Sequence, residues 1–296
     1  MDRAAVVAVI GTGDMGAAIG GALRRTGLRV VSDLSRRSAH SRSLAQAAGI
    51  EDLASLSRVV QEAGLLLSIV PPAVAPEFAA EVAAAMSATG GRPTFVDCNA
   101  VAPETMRAIA GQFTSLGATV VDVGIVGRGP PADLPTRLYF SGPERAGLEL
   151  LAIPALRLID MGEQIGTASA LKMAYAALNK GTDALHLAVL LMAERLGVRG
   201  PLMEEFALSQ AAALRRMHER VPFLAATADR YSGEMLQIAA TCDSVGVTPL
   251  MHEGAAWLYE RLATTSLAAE TRATLHRDRT LDEALAVFVR ALQPRE

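Results

Sequence analysis

The stretch VVAVIGTGDMGAAIGGALRRTG, Val6 to Gly27, decides how this chain is read. Val6 to Ile10 is an unbroken apolar run, the length of one buried parallel strand. Gly11-Thr12-Gly13-Asp14-Met15-Gly16 follows as a G-x-G-x-x-G, and Ala17 to Arg25 then has the composition of a helix that Gly27 stops. Each glycine has a separate mechanical duty. Gly11 permits the tight turn off the strand, Gly13 lets a pyrophosphate approach the backbone, and Gly16 lets the helix pack closely on the strand. The N–H groups at the helix N-terminus and the helix dipole both favour that charge. Framed by a strand and a helix, the motif assigns Gly11, Thr12, Gly13, Asp14, Met15 and Gly16 to a dinucleotide site.

The next strand is expected over Arg29 to Asp33, and its end bears on the cofactor. Asp33 lies about 20 residues past the first glycine, where a carboxylate bonds the ribose hydroxyls of NAD. Ser35-Arg36-Arg37-Ser38 follow directly. Two guanidinium groups and two hydroxyls suit the extra phosphate of NADP, because the arginine fork matches phosphate geometry. Arg36 and Arg37 also fit a solvated helix start. NADP is the expected cofactor, with NAD the alternative.

Helices and strands then alternate. Helices are expected at Ala39 to Ala48, Leu53 to Glu62, Glu77 to Ala88 and Pro103 to Leu116. Strands are expected at Leu65 to Val70, Thr94 to Asp97 and Thr119 to Val123. That order implies a parallel sheet with helices on both faces, a Rossmann domain. Ligands bind beyond the carboxyl ends of such strands, which adds Val70, Pro71, Pro72, Asn99, Ala100 and the segment Gly124 to Gly129 to one crevice. Arg137 to Ser141 and Leu156 to Ile159 read as two further edge strands. Beyond Gly162 to Gly166 only helical patterns remain: Thr167 to Leu196, Leu202 to His218, Leu224 to Tyr231, Glu234 to Val245, Leu250 to Ala263, Ala268 to His276 and Leu281 to Leu292. The expectation is therefore an α/β nucleotide domain over 1–163 and an all-α domain for substrate and dimerisation over 164–296.

Composition removes several classes of function. Charged residues are 20% of the chain and the net charge is −3, so no polyanion is implied and nucleic acid is not an expected partner. No uninterrupted apolar stretch reaches the ~18 residues of a membrane span. The first strand starts so soon after Met1-Asp2-Arg3 that no signal peptide is expected, and a cytoplasmic location follows. Cys98 and Cys242 match no metal or redox spacing and suit a reducing compartment. No metal is expected.

The helix expected from Thr167 holds the remaining chemistry. At 100° per residue, Ser169, Lys172, Tyr175, Asn179, Asp183 and His186 share a sector of roughly 120°. Leu171, Ala174, Leu178, Gly181 and Leu185 form the opposite face, small and apolar, and expected to be the packed one. Because this helix begins directly after the nucleotide domain, Lys172 in its second turn is expected to reach the nicotinamide region.

The whole chain resembles the β-hydroxyacid dehydrogenase and 6-phosphogluconate dehydrogenase superfamily. GTGDMGAAIGGALRRTG resembles its cofactor fingerprint, DCNAVAPET at 97–105 its D-x-S-T-x-x-P segment, DVGIVGRG at 122–129 its substrate loop, and GTASALKMAYAALNKG at 166–181 its catalytic-lysine helix. KMAYAALNKGTDAL, GEMLQIAAT at 233–241 and HEGAA at 252–256 resemble a branch with a distinct C-terminal domain. The resemblance implies a Rossmann domain, an all-α second domain, a nicotinamide-dependent oxidoreductase and a homodimer formed through the second domain.

Several family positions differ. Val126 replaces the loop serine, Arg128 the second loop glycine, Ala176 the asparagine four residues after the lysine, and Glu234-Met235 a Lys-Asp pair. Asn179 is the nearest substitute for that asparagine. The expected reaction is hydride transfer between nicotinamide and a small hydroxy or keto acid, the protein handling one proton. Lys172 and Asn179 are the expected catalytic residues. Val126, Gly127, Arg128, Tyr175, Glu234 and His252 are the expected substrate contacts, Arg128 toward a carboxylate or phosphate or else simply at the surface. Imine reduction by the same hydride geometry is one alternative, and a redox-inactive nucleotide sensor is another.

Overall fold

The structure, a computed structural model, describes residues 5–271 and 274–291. Two compact units divide the chain, one ending at Met173 and the other starting at Ala174. In the first, the elements are β1 (Val6–Ile10), α1 (Asp14–Arg25), β2 (Arg29–Ser32), α2 (Ala39–Ala47), β3 (Glu51–Asp52), α3 (Leu56–Glu62), β4 (Leu65–Ser68), α4 (Ala75–Thr89), β5 (Thr94–Asp97), α5 (Pro103–Thr114), β6 (Val120–Val126), β7 (Thr136–Ser141) and β8 (Leu156–Asp160). α6 (Thr167–Arg195) begins in this unit.

One sheet runs in the order β3-β2-β1-β4-β5-β6-β7-β8. Its first six strands pair in parallel, β7 is antiparallel to β6, and β8 is parallel to β7. β1 has β2 on one side and β4 on the other, so the strand order reverses there and opens a crevice at the carboxyl ends. Side chains alternate across the sheet, as strand geometry requires. Val6, Ala8 and Ile10 enter a core with residues of α3, α4 and α5, while Val7 and Val9 enter a second core with residues of α1. Phe95 of β5 stacks on Phe113 of α5 with ring centroids 4.6 Å apart.

Some boundaries differ from the sequence reading, each for a local reason. β3 was not expected. Asp52 Oδ1 accepts from Leu34 N and Ala54 N, which turns the chain and delays α3 to Leu56. β4 stops at Ser68 because Val70 N turns to a side chain, Asn99 Oδ1, at 2.7 Å. β6 continues to Val126, so Gly124, Ile125 and Val126 are strand and the loop starts at Gly127.

The second unit holds the rest of α6 with α7 (Arg199–Ser209), α8 (Ala211–Arg220), α9 (Ala228–Ser244), α10 (Leu250–Ala263) and α11 (Leu281–Ala291), and no strand among its described residues. The single helix expected over Leu202 to His218 is broken at Gln210, where φ is −135° and ψ 39°. The two expected over Leu224 to Val245 are one, with Gly233 inside α9. In place of the helix expected over Ala268 to His276 there is a 3₁₀ turn, Ser266–Ala269, while 272–273 and Leu292 lie outside the described residues. Among the described residues no helix is long and apolar enough to cross a membrane.

α6 does not divide into the two expected faces. Leu178 and Leu185 are exposed, whereas Ser169, Asp183 and His186 are buried. The carboxylate of Asp183 can turn inward because Arg216 (2.8 Å) and Arg220 (3.2 Å) of α8 meet it there. A buried charge that is paired and hydrogen-bonded escapes most of its desolvation cost.

At the crevice, the ends of β4 and β5 are joined through Asn99. Its Nδ2 donates to Ser68 Oγ and Asp97 Oδ2, and its N to Asp97 Oδ1. Burial pushes the Asp97 carboxyl up to about 7, with the nearby Asp122 charge adding to the rise and the Asn99 donors opposing it. Between about pH 4 and 7 the unfolded chain has released this proton and the folded chain has kept it, so this group's stabilising effect falls as pH rises and is gone above about 7. Urea denaturation across that window should give wild-type protein a steeper decline than Asp97→Asn. Parallel profiles for the two proteins would overturn the assignment.

Candidate functional site

Three glycines shape the turn between β1 and α1. Gly11 has φ +95°, and a Cβ on it would lie 2.1 Å from Ile69 O, so the chain ends of β1 and β4 touch at the crevice. A Cβ on Gly16 would lie 2.1 Å from Gly11 O. A Cβ on Gly13 would meet nothing within 4 Å. Gly13 is also the N-cap of α1 and supplies no side-chain cap. The two flanking glycines are thus required by the protein's own packing, and the central one leaves an open approach to a helix N-terminus. That cradle fits a pyrophosphate. Thr12 is buried, and its Oγ1 donates to Ser41 O of α2 at 3.1 Å, which fixes the loop from behind. Asp14 is exposed on the first turn and Met15 half-buried beside it.

Beyond the end of β2 lies a small cleft lined by Ile10, Asp33, Arg36, Arg37, Leu56, Phe78 and Glu81. Asp33 Oδ1 accepts from Ser35 N at 3.0 Å and Ser35 Oγ at 2.6 Å. Arg36 is ion-paired with Glu81 of α4. Ser38 is the N-cap of α2, its Oγ accepting from Ser41 N at 3.2 Å. Of the expected ribose contacts, Asp33, Arg36 and Arg37 therefore line the cleft. Ser35 orients Asp33, and Ser38 serves its helix. At the neighbouring strand ends Val70 and Pro72 are buried, Pro71 is exposed, Ala100 is half-buried, and Asn99 is the clamp described above.

β6 and the start of α6 form one assembly. Asp122 Oδ2 accepts from Ser141 Oγ, Gly166 N and Ser169 N, each at 3.0 Å, and Oδ1 accepts from Ser169 Oγ at 2.7 Å. A carboxylate at a helix N-terminus satisfies first-turn N–H groups and complements the dipole. Burial raises the Asp122 carboxyl, and these donors hold it down. A Cβ on Gly124 would lie 2.8 Å from Ala168 O and 3.1 Å from Lys172 Cβ, so strand and helix are in direct contact. Lys172 Nζ donates to Ile125 O at 2.6 Å. Val126 is buried at the strand end, whereas Gly127 and Arg128 are exposed in the loop. A Cβ on Gly129 would sit 2.9 Å from Ala18 Cβ and 3.4 Å from Met15 Sδ. The loop after β6 thus packs on the first turns of α1. The sequence reading missed Asp122 as the tether of α6 and Glu81 as the partner of Arg36. An aspartate preceding a run of small residues was visible, but its partner 47 residues on was not.

The other expected residues lie in the second unit. Tyr175 is exposed. Asn179 Nδ2 donates back to Tyr175 O at 3.1 Å, and its main-chain oxygen accepts from Arg216 Nη2 at 2.8 Å. Glu234 is buried, ion-paired with Lys180 and, at 3.2 Å, with Arg230. Lys180 Nζ stands 4.6 Å from the Tyr231 ring centroid. His252 lies against Gly181, and burial holds its imidazole below the usual range.

The cradle makes a separable prediction. Gly13→Ala should fold with near wild-type stability and weaken dinucleotide binding at least tenfold, because only the ligand needs that space. Gly16→Ala should lower the melting temperature with or without ligand, because its methyl group meets main chain. Calorimetry with and without nucleotide reads both. A Gly13→Ala protein that binds normally would exclude this cradle as the phosphate site.

Comparisons with known proteins agree with this geometry. Residues 6–153 match the NAD binding domain of 6-phosphogluconate dehydrogenase, and residues 193–262 match a domain of unknown function (DUF1932). No protein of curated function matches the sequence. A conserved hypothetical protein from Sinorhizobium meliloti 1021 is 25% identical with a TM-score of 0.65, over 98% of each chain. Mycobacterium tuberculosis 3-hydroxyisobutyrate dehydrogenase, in a structure with L-serine, is 18% identical with a TM-score of 0.63 over 95% of this chain and 98% of that one. A Streptomyces aurantiacus imine reductase is 17% identical with a TM-score of 0.53 over the same shares, 95% and 98%. The last two share the fold. With half its length matched and a dinucleotide cradle in that half, the chain belongs to the 6-phosphogluconate dehydrogenase-like superfamily of NAD(P)-binding proteins.

Proposed function

We propose that this protein is an NADP-preferring oxidoreductase acting on a small hydroxy or keto acid, with Lys172 moving the proton. The observation that carries this reading is the position of Lys172. Its ammonium is held on Ile125 O at the carboxyl end of β6, and the loop leaving that strand packs on Met15 and Ala18 of the cradle helix. When bound, the nicotinamide supplies or accepts the hydride. Gly11, Gly13 and Gly16 set the backbone that receives the pyrophosphate. Asp33, Arg36 and Arg37 face the ribose end, the two guanidiniums favouring a 2′-phosphate. Lys172 donates a proton to a carbonyl oxygen in reduction and withdraws it in oxidation. Arg128, exposed in the loop after β6, is assigned to an anionic group of the substrate.

A homodimer completes the proposal. Leu178, Leu185 and Met192 recur every second turn along α6 and are 73%, 60% and 56% exposed. An apolar stripe of this kind on a helix is the usual form of an association surface. A second copy of the chain is its assigned cover.

Steady-state turnover with NADPH and a panel of hydroxy acids, keto acids and imines tests the chemistry. Lys172→Ala should lower turnover by about 10²–10⁴-fold, the usual contribution of a positioned acid or base. Lys172→Arg should not rescue it, since a guanidinium does not release its proton near neutrality. Affinity for NADPH, which is held by the cradle, should be unchanged in both. Near-normal turnover in Lys172→Ala would remove the residue from the mechanism. For assembly, light scattering at micromolar concentration should give twice the chain mass, with Leu185→Glu shifting it toward one chain. A wild-type mass of one chain would refute the dimer.

A further inference from the structure

Arg36 does not stand alone at the ribose cleft. Its guanidinium is paired with the carboxylate of Glu81, a residue of α4 that lines the same cleft with Asp33 and Arg37. The pair is not locked in place. The Arg36 side chain is 75% exposed and that of Glu81 35%, and ion pairs this open are weak and exchangeable. The cleft therefore presents two arginines and two carboxylates. Asp33 is oriented by Ser35 and suits a ribose hydroxyl, while Glu81 is engaged by Arg36.

We propose that Glu81 sets cofactor preference at this cleft, as a counter-ion that competes with a 2′-phosphate for Arg36. The proposal rests on the NADP reading above. A 2′-phosphate is a dianion with three acceptor oxygens, and Arg36 can serve it fully only by leaving Glu81. Once there, the phosphate also lies near a like charge. Both effects oppose NADPH. Neither touches NADH, whose 2′-hydroxyl is neutral. Glu81 thus lowers a preference that Arg36 and Arg37 would otherwise make stronger, and keeps the cleft open to both cofactors.

The test is equilibrium titration of NADPH and NADH, followed by nucleotide fluorescence without substrate, on wild type, Glu81→Gln, Arg36→Ala and the double variant. Glu81→Gln should bind NADPH about three- to tenfold more tightly and NADH within about twofold of wild type, a selective change of the size expected for one exposed charge. The gain should shrink at high salt and in the Arg36→Ala background, where no guanidinium is released. Unchanged or weaker NADPH binding by Glu81→Gln, or equal shifts for both cofactors, would overturn the role of Glu81. Wild-type protein that prefers NADH would overturn the NADP reading alone, since a selective gain in Glu81→Gln would still establish the competition. Wild-type protein that binds neither cofactor would overturn both.

Discussion

The carboxylate of Asp122 is the joint on which the proposed chemistry depends. It is buried, and burial of an ionised carboxylate is costly unless hydrogen bonds replace its water. Here they come from Ser141 of β7 and from Gly166 and Ser169 at the start of α6. One residue therefore fastens the antiparallel edge of the sheet and the N-terminus of the long helix to β6. Gly124, two residues further along the strand, lets the helix lie against the backbone. Lys172 sits one turn beyond Ser169, so its reach to Ile125 O follows from that joint.

The dinucleotide end obeys a different constraint, that of space. Two of the fingerprint glycines are demanded by main-chain oxygens about 2 Å from where a methyl would stand, and the third by nothing the protein itself contains. The same motif thus holds two glycines that the protein's own packing requires and, between them, one whose approach is open. Around it, Thr12, Ser38 and Asn99 spend their polar atoms on fixing the loops and strand ends. They fix the crevice from behind, and Asp33, Arg36 and Arg37 line the cleft beside it.

In the helical unit, α6 buries Asp183 and His186 beside Ala184, Leu187, Leu190 and Leu191, and leaves Leu178, Leu185 and Met192 exposed. Asp183 with Arg216 and Arg220, and Lys180 with Glu234, form paired networks whose members come from α6, α8 and α9. Breaking one partner of such a buried pair is far more costly than the pair is stabilising, so these contacts specify how the helices meet. Leu178, Leu185 and Met192 stay outside that arrangement, exposed along one line of α6.

The sequence by itself determined the main strands and helices of the first half, the change from alternating strands and helices to helices alone, and the strand, glycine turn and helix that open the chain. Those features are written in short-range signals: an apolar run of strand length, glycines at fixed offsets, prolines and glycines at helix ends. It also placed Lys172 correctly on a helix one turn inside its start. What it did not contain was the partner of each polar side chain. Whether Asp183 faces water or an arginine depends on a helix some 33 residues away, and periodicity alone therefore puts Asp183 on the wrong side of α6. The residues around Arg36 point to a phosphate ligand or a solvated helix start, and give no sign of Glu81, 45 residues on, which pairs with it. The face shared with Lys172 suggests a catalytic Asn179, and gives no sign that Arg216 bonds its main-chain oxygen. Periodicity reports which residues share a face. Only tertiary structure decides what that face meets, because the partners that let a polar group be buried come from elements distant in sequence.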